Sequence, residues 1–120
     1  MGERGAMIIT WGNQRAGVRA EKGMEVFGES LTFYDELTKE GRIAGYRVFA
    51  STTRSRGMFV IDGDLAELSR IMTSTESTRL LAKASAVVDD VDVDLCIGGS
   101  VDEVTNHYTR AIEAVTELGI

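Results

Sequence analysis

A polar turn between two apolar segments is the feature that most restricts how this chain can fold. RIAGYRVFA, residues 42–50, alternates in polarity, STTRSRG occupies residues 51–57, and MFVID, residues 58–62, is rich in β-branched and aromatic side chains. This pattern predicts a β-hairpin. Segments with apolar residues at helical spacing flank the hairpin on both sides, so it must lie in the middle of a mixed α+β fold.

The segments before the hairpin predict one strand and one long helix. MIITW, residues 7–11, is typical of a short buried strand. A helix with one apolar face then extends to about Glu40, and Gly41 is a natural stop. MGERGA, residues 1–6, has no apolar run, and we expect a flexible N-terminus that is not a signal peptide.

The second half is organised by capping residues and a polar break. Asp64 and Ser100 each precede a helical pattern with a glutamate three residues on, which predicts helix starts. TSTEST, residues 73–78, predicts a break or kink inside the second helical region. VDVDLCIG, residues 91–98, predicts a strand with one wet face, and the final helix is expected within residues 100–118.

The resulting order is β-α-β-β-α-β-α, which predicts an α+β, ferredoxin-like βαββαβ fold with an extra C-terminal helix. Right-handed crossovers give a four-stranded antiparallel sheet in the order 4-1-3-2, with both crossover helices on one face. We expect a single domain over residues 7–120, with its core at 7–99. Apolar residues occur in both parities of several strands, so we predict a homodimer that closes sheet on sheet.

Composition excludes several classes of protein. The net charge of −6 argues against nucleic acid as a partner, because such binding needs clustered cations. Apolar runs are too short to span a membrane, so we expect no membrane partner. The single cysteine, Cys96, cannot form an internal disulfide, which fits a reducing cytoplasm.

One segment resembles a known group of proteins. GVRAEKGMEVFGESLTFYDEL followed by EGRIAGYRVF is similar to a sparsely characterised bacterial branch of the dimeric α+β-barrel proteins, through Glu21-Lys22, Glu25-Val26-Phe27 and Glu40-Gly41-Arg42-Ile43. The resemblance covers about residues 7–99. It implies ferredoxin-like domains that pair their sheets and bind ligands between sheet and helices or near the dimer seam. The group includes cofactor-independent monooxygenases, haem-degrading enzymes, small lyases and isomerases.

Two patterns within this group are not matched. Haem-degrading members use an Asn, a Trp and a His, but here Trp11 and Asn13 are close in sequence and His107 lies on the extra helix, so those roles do not transfer. YCII-like members use a His–Asp pair, and no histidine precedes residue 107. We therefore predict no cofactor.

The segment WGNQRAGVR, residues 11–19, has glycines five residues apart, as in a phosphate-binding loop. Val18 and Arg19 replace the Lys and Ser or Thr that a P-loop needs after its second glycine. Two interpretations remain. Backbone N–H groups at the helix start could bind an anion with help from basic side chains, or the segment is a mobile, solvated loop. The basic side chains concerned are Arg15, Arg19 and Lys22.

Few side chains suggest chemistry. Arg47 lies between apolar neighbours and either pairs with an acid such as Asp62 or faces a pocket that takes an anion. His107 is a weak candidate for an acid or base, and the alternative is a half-buried residue at a helix edge. The acidic run that includes Asp92 and Asp94 has neither zinc nor EF-hand spacing, so we predict no metal site.

These observations favour a homodimeric protein that binds a small, anionic or partly apolar molecule and is possibly a cofactor-independent enzyme. The alternative is a non-catalytic dimeric assembly module. In the first case the arginines would hold an anion and the aromatic rings would form an apolar wall. The predicted ligand-binding residues are Trp11, Asn13, Arg19, Tyr34 and Arg47.

Overall fold

The structure, a computed structural model, describes residues 2–119. The four strands form one antiparallel sheet in the order second, third, first, fourth, which confirms the predicted ferredoxin-like topology. Met1 and Ile120, the ends of the predicted segments 1–6 and 7–120, lie outside the described residues. In chain order the elements are β1 (Arg4–Trp11), α1 (Ala20–Lys39), β2 (Gly45–Ala50), β3 (Gly57–Asp64), α2 (Leu65–Met72), α3 (Thr75–Val87), β4 (Asp92–Ile97) and α4 (Val101–Glu117).

The core lies between one face of the sheet and the helices α1 and α2. In the central strand pair, Met7 lies opposite Ile61 and Ile9 lies opposite Phe59. All four side chains point to the helix side and are buried. Burial of a large apolar side chain contributes about 1.5–3 kcal/mol to folding, so this pairing fixes the register of the sheet. The remaining buried members of the cluster are Tyr34, Leu37, Ile43, Leu68 and Ile71.

The opposite face of the sheet, which we call the open face, carries apolar side chains that stay partly exposed. Ile8 lies opposite Val60, and Thr10 lies opposite Met58. These four residues are half-buried, while Phe49 of β2 is 49% exposed. The alternation of side chains along each strand puts them on the face away from the core.

The first strand begins at Arg4, so the expected flexibility of residues 1–6 is wrong for residues 4–6. Arg4, Gly5 and Ala6 extend the pairing with β3, and Gly5 and Ala6 also pair with β4. Gly5 is buried, and a Cβ there would overlap the Cys96 carbonyl oxygen and approach Leu65 Cδ1 to 2.7 Å. Gly5 and Ala6 gave no strand pattern in the sequence because they are small. The close packing of this part of the strand requires that small size.

The turn after α1 explains why β2 begins at Gly45, three residues later than expected. Gly41 adopts a φ of +73°, as predicted for the helix stop. The Arg42 N–H then donates to the Leu37 carbonyl at 2.9 Å. Residues 42–44 therefore complete the end of the helix and the turn before the strand.

Side-chain caps define the later helices as predicted. Asp64 and Ser100 accept hydrogen bonds from the N–H groups of Glu67 and Glu103, at 3.1 Å and 3.2 Å. The predicted break falls between Met72 and Thr75, where Ser74 caps α3. The helical region is thereby divided into α2 and α3, which pack against different parts of the chain.

The final helix stands apart from the core. None of the α4 residues is buried; Val104 is half-buried, whereas the exposed large apolar residues range from 81% for Val101 to 50% for Val115. His107, expected to be half-buried, is exposed because α4 contacts the domain only along part of its length. Across the described residues, the helices lack the combination of length and apolar character that crossing a membrane requires.

Two serines of α3 should respond in opposite ways to the same change. Ser74→Ala removes the oxygen that accepts from the Ser77 N–H and should lower the free energy of unfolding by about 1 kcal/mol. Ser77 is only 4% exposed, and its hydroxyl has no hydrogen-bond partner among the described residues. Ser77→Ala should therefore raise that free energy by up to about 1 kcal/mol. Urea unfolding of both variants measures this, and a loss of stability in Ser77→Ala would contradict the assignment.

Candidate functional site

A small apolar cavity of about 80 Å³ lies between the sheet and the helices α1 and α3. It is below the ~300–1,000 Å³ of a pocket for a drug-sized molecule, so it suits a compact group of a few atoms. No charged side chain lines it among residues 2–119. The lining residues are Ile9, Trp11, Gly23, Val26, Phe27, Ser30, Tyr34, Phe59, Leu80, Leu81, Ala84, Val87, Val88 and Val91.

Aromatic rings form one wall of the cavity. Phe59 of β3 lies at the centre of the group, with ring centroids 5.3 Å from Trp11, 5.6 Å from Phe27 and 5.4 Å from Tyr34. These separations are within the favourable range for aromatic pairs. The strand β3 fixes Phe59, and Gly57 two residues earlier leaves room for the Trp11 ring, which a Cβ at position 57 would overlap.

Gly23 makes an opening in the wall that α1 contributes. Apart from its chain neighbours and the nearby backbone of its own helix, no heavy atom lies within 4 Å of the place where its Cβ would stand, and the residue lines the cavity. Glycine inside a helix costs about 1 kcal/mol relative to alanine. Gly28 in the same helix has equally free surroundings but does not line the cavity. Gly23 is therefore the position where a larger side chain would fill the site.

One end of the cavity is closed by two chain segments that hydrogen-bond to each other. The Gly12 N–H donates to the Asp89 carbonyl at 2.8 Å, and the Asp89 N–H donates to the Asn13 carbonyl at 2.8 Å. The Arg15 N–H donates to the Val87 carbonyl at 2.9 Å. Because Trp11 and Val87–Val88 line the cavity, this backbone bridge holds its end in place.

The bridge involves only the start of the loop WGNQRAGVR, before the N-terminus of α1 at Ala20 where the predicted anion site would lie. Its N–H groups at Gly12 and Arg15 already donate to carbonyls, so they do not form an anion site. The Arg15 side chain donates to the Ser85 carbonyl at 2.9 Å and 3.2 Å and lies 3.6 Å from the Asp89 carboxylate. A cation at the C-terminal end of α3 is electrostatically favourable. Residues 12–15 are thus bound to the end of α3, and only residues 16–19 form a largely exposed turn.

The predicted ligand-binding residues separate into two groups. Trp11 and Tyr34 line the cavity. Asn13, Arg19 and Arg47 are exposed and do not line it. Arg19 is the N-cap residue of α1, and its side chain forms no cap hydrogen bond.

Arg47, which lies between apolar neighbours in the sequence, is exposed in the structure. Its strand, β2, is at the edge of the sheet, and the side chain points to the open face with 61% of its surface exposed. It forms the ion pair with Asp62 that the sequence suggested, at 3.5 Å. Arg47 is therefore on the opposite side of the sheet from the cavity.

His107 is remote from the cavity. It lies in a shallow depression between β4 and α4 with Cys96 and Tyr108, near the Gly5 end of β1, whereas Trp11 is at the other end of that strand. Burial is the main cause that raises the pKa of the Cys96 thiol, with Asp94 adding to it, which disfavours a thiolate. Over residues 2–119, no three His, Cys, Asp or Glu side chains are grouped to hold a metal ion.

Tyr34 is the ionisable side chain of the cavity lining. Burial raises the pKa of its phenol well above the ordinary value, so the group stays neutral and can donate a hydrogen bond but not act as a base. The Ser30 hydroxyl already donates to the Val26 carbonyl at 2.9 Å. The lining therefore suits a neutral, apolar molecule with at most one or two polar atoms.

Sequence reasoning missed several important members of the lining. Ile9 alternates with Trp11 in the same predicted strand and so shares its face, whereas Phe59 joins them only through the register between the strands. Gly23 carried a signal as well, since a glycine inside a helix indicates a close approach or an opening. The α3 residues Leu80 and Ala84 had no such signal, because only the tertiary fold brings them to the cavity.

Comparison with known proteins identifies the fold. No family model and no curated protein matches the sequence. The chain is similar to a dimeric protein of unknown function with a ferredoxin-like fold from Bacteroides fragilis, at 11% identity and a TM-score of 0.57, over 78% of this chain and 96% of that one. It is also similar to a hydroxynitrile lyase from Passiflora edulis (7% identity, TM-score 0.61, 84% and 98% covered) and to an antibiotic biosynthesis monooxygenase (16%, 0.56, 80% and 98%).

At these low identities the similarity shows the fold and not the activity. It confirms the resemblance to the ferredoxin-like, dimeric α+β proteins at the level of architecture. The function must be argued from the side chains of this chain.

Removal of the Arg47 side chain should barely affect stability. The ion pair with Asp62 is solvent-exposed, and such pairs contribute at most about 1 kcal/mol. We expect Arg47→Ala to change the free energy of urea unfolding by less than that amount. Ile61→Ala, at a fully buried position of the adjacent strand, should cost about 2–5 kcal/mol as a reference. A comparable loss in Arg47→Ala would show that Arg47 is a structural partner after all.

Tyr46, whose ring packs beside Tyr34 and Phe59, gives a test of the hydrogen bond to Asp35 at alkaline pH. The Tyr46 hydroxyl donates to Asp35 Oδ1 at 2.6 Å, and this bond, together with burial and the Asp35 charge, raises the pKa of Tyr46 to about 12. The unfolded value is about 10. The folded state therefore holds this proton more tightly, and the resulting stabilisation is complete below pH 10 and is lost as the pH rises through 12.

Tyr46→Phe should accordingly flatten the decline in unfolding free energy between pH 10 and pH 12. Asp35→Ala, which removes the acceptor, should produce a similar flattening. Urea unfolding at a series of pH values measures both profiles. Equal slopes in the wild type and in Tyr46→Phe would show that this hydrogen bond does not shift the titration.

Proposed function

We propose that this chain is a homodimeric binding protein for a small, neutral, apolar molecule, which occupies the cavity between the sheet and the helices α1 and α3. The observation that carries the proposal is the aromatic and aliphatic lining without a charged side chain among the described residues. An anion would be poorly held there, since neither Arg19 nor Arg47 reaches the cavity. The sequence predicted a ligand that is either anionic or partly apolar, and of these two we propose the apolar one.

The dimer is supported by the open face. Apolar side chains such as Ile8, Val60 and Phe49 are partly exposed there, and a second sheet would remove them from water. The Bacteroides fragilis protein with the same fold is described as dimeric. A two-fold arrangement would use the same patch on both copies.

If the protein converts its ligand chemically, the reaction would not use charged side chains, because none lines the cavity among the described residues. Proteins of the same fold include a lyase and a monooxygenase, so turnover of the ligand is an extension of the proposed binding function. Within the lining, Tyr34 is suited to orient a polar atom of the substrate as a neutral hydrogen-bond donor. A substrate that is itself readily oxidised or isomerised would fit such a site.

The alternative function is that of a non-catalytic assembly module. The open face and the exposed helix α4 favour it, because both offer apolar surface for association. The two functions differ in whether the cavity accepts a molecule.

Substitution at Gly23 tests the binding function. Trp11 is the sole tryptophan and lines the cavity, so its fluorescence reports on occupancy. Toluene should bind to the wild type, and benzoate, of similar size but charged, should bind at least about tenfold more weakly because burial of an unpaired charge is costly. Gly23→Leu should fill the cavity and weaken toluene binding at least about tenfold. Gly28→Leu, in the same helix but outside the lining, is the matched control and should bind toluene like the wild type.

Equal toluene binding by Gly23→Leu and Gly28→Leu would place the probe elsewhere on the surface. Absence of any toluene response in a folded wild type would favour the assembly module. Native mass spectrometry of the purified protein complements the titration, since a bound molecule that leaves on denaturation identifies its own mass.

A further inference from the structure

Two side chains of α1 bring hydroxyl groups to the cavity lining, and they differ in whether the hydroxyl hydrogen is already engaged. The Ser30 hydroxyl donates to the Val26 carbonyl at 2.9 Å, so it can accept a further hydrogen bond but not donate one. Within residues 2–119 the Tyr34 hydroxyl forms no hydrogen bond, and burial is what raises its pKa, whereas a hydrogen bond to Asp35 is the main cause for Tyr46. Tyr34 therefore keeps a free donor.

Tyr34 belongs to the inner part of the lining. It is 4% exposed, and the other buried members are Ile9, Phe59 and Leu80. Lining residues nearer the surface, such as Gly23, are half-buried. A buried phenol normally finds a hydrogen-bond partner, because an unpaired polar group inside a protein costs free energy. The unpaired hydroxyl of Tyr34 therefore indicates that its partner is a molecule that enters the cavity.

Water is poorly suited to be that partner. A buried water molecule typically forms about three hydrogen bonds to polar groups of the protein. The described lining side chains with polar atoms are Trp11, Ser30 and Tyr34. The Trp11 nitrogen lies over Gly57, a residue outside the lining, at 2.7 Å from where a Cβ of that glycine would stand. The remaining side chains offer water two partners, whereas an organic molecule with one polar atom needs one and fills the apolar space besides.

We infer that the ligand of this cavity carries a single neutral hydrogen-bond acceptor, such as a ring nitrogen or a carbonyl oxygen, which accepts from the Tyr34 hydroxyl, and is otherwise apolar. The inference rests on the proposed binding function and deepens it by naming the polar group of the ligand. A neutral acceptor brings no charge into the apolar site. Tyr34 is then the residue that determines specificity, because a molecule without the acceptor leaves the phenol unpaired.

Toluene and 4-methylpyridine are matched probes for this hydrogen bond, because they have the same shape and differ by a ring nitrogen in place of one C–H group. Mildly alkaline buffer keeps that nitrogen unprotonated. Isothermal titration calorimetry measures the dissociation constant of each probe for the wild type and for Tyr34→Phe. Loss of the donor should raise the constant for 4-methylpyridine at least about fivefold, while the constant for toluene should change less than about twofold.

Tyr46→Phe is the matched control for the loss of a tyrosine hydroxyl. The Tyr46 ring packs beside Tyr34 but lies outside the lining, and its hydroxyl donates to Asp35 at 2.6 Å. Both dissociation constants should therefore stay within about twofold of the wild type in this variant. Urea unfolding checks that the variants are folded. Because Tyr34→Phe removes an unpaired buried group, we expect it to cause no loss in the free energy of unfolding.

The outcomes separate failure of this inference from failure of the proposed function. If toluene binds and Tyr34→Phe affects both probes equally, the inference is overturned and the binding function stands. If neither probe binds to the folded wild type, both are overturned. Gly23→Leu should weaken both probes, since it fills the cavity. Binding of 4-methylpyridine that persists unchanged in Gly23→Leu would lie outside the cavity and would overturn the assignment of Tyr34 as its donor.

Discussion

The pairing of the two central strands is the constraint on which the rest of the structure depends. With Met7 opposite Ile61 and Ile9 opposite Phe59, four large apolar side chains lie on one face, and a shift of one residue would turn them all to the other. The two ends of this face are then filled differently. At the Met7 end, α2 contributes Leu68 and Ile71, which are almost completely buried. At the Ile9 end, α1 and α3 contribute small residues such as Gly23 and Ala84, and the cavity remains.

Local signals in the sequence were sufficient for the elements and their order. Strand alternation, the caps at Asp64 and Ser100, the glycine stop at Gly41 and the polar break before α3 depend on interactions within a few residues, so they are visible without the fold. The strand order followed from the handedness of the crossovers. The start of β1 was missed because Gly5 and Ala6 carry no apolar periodicity, although their strand partners hold them in place.

The candidate site was less predictable because it depends on contacts between distant parts of the chain. The end of the cavity is held by Asn13 and Arg15 against Asp89 and Val87, which are more than 70 positions away and share no pattern with them. The exposure of Arg47 follows from the edge position of β2 and the lack of a covering helix on the open face, which strand alternation alone cannot show. Trp11 and Tyr34, which were predicted to bind a ligand, both line the cavity, because large aromatic side chains next to a helix-covered face have few other places to go.

Charged and neutral side chains lie on different surfaces of this protein, so each surface suits a different kind of contact. Arginines and carboxylates are distributed over the open face, the hairpin turn and α4, where water or a second copy can solvate or pair them. The cavity retains only neutral groups, and the raised pKa of Tyr34 is the electrostatic consequence of that environment. The same fold elsewhere carries a lyase and a monooxygenase, so the backbone alone does not select a reaction. Under the proposed function, binding in the cavity would therefore rely on shape and apolar contact, because no charged side chain lines it among the described residues.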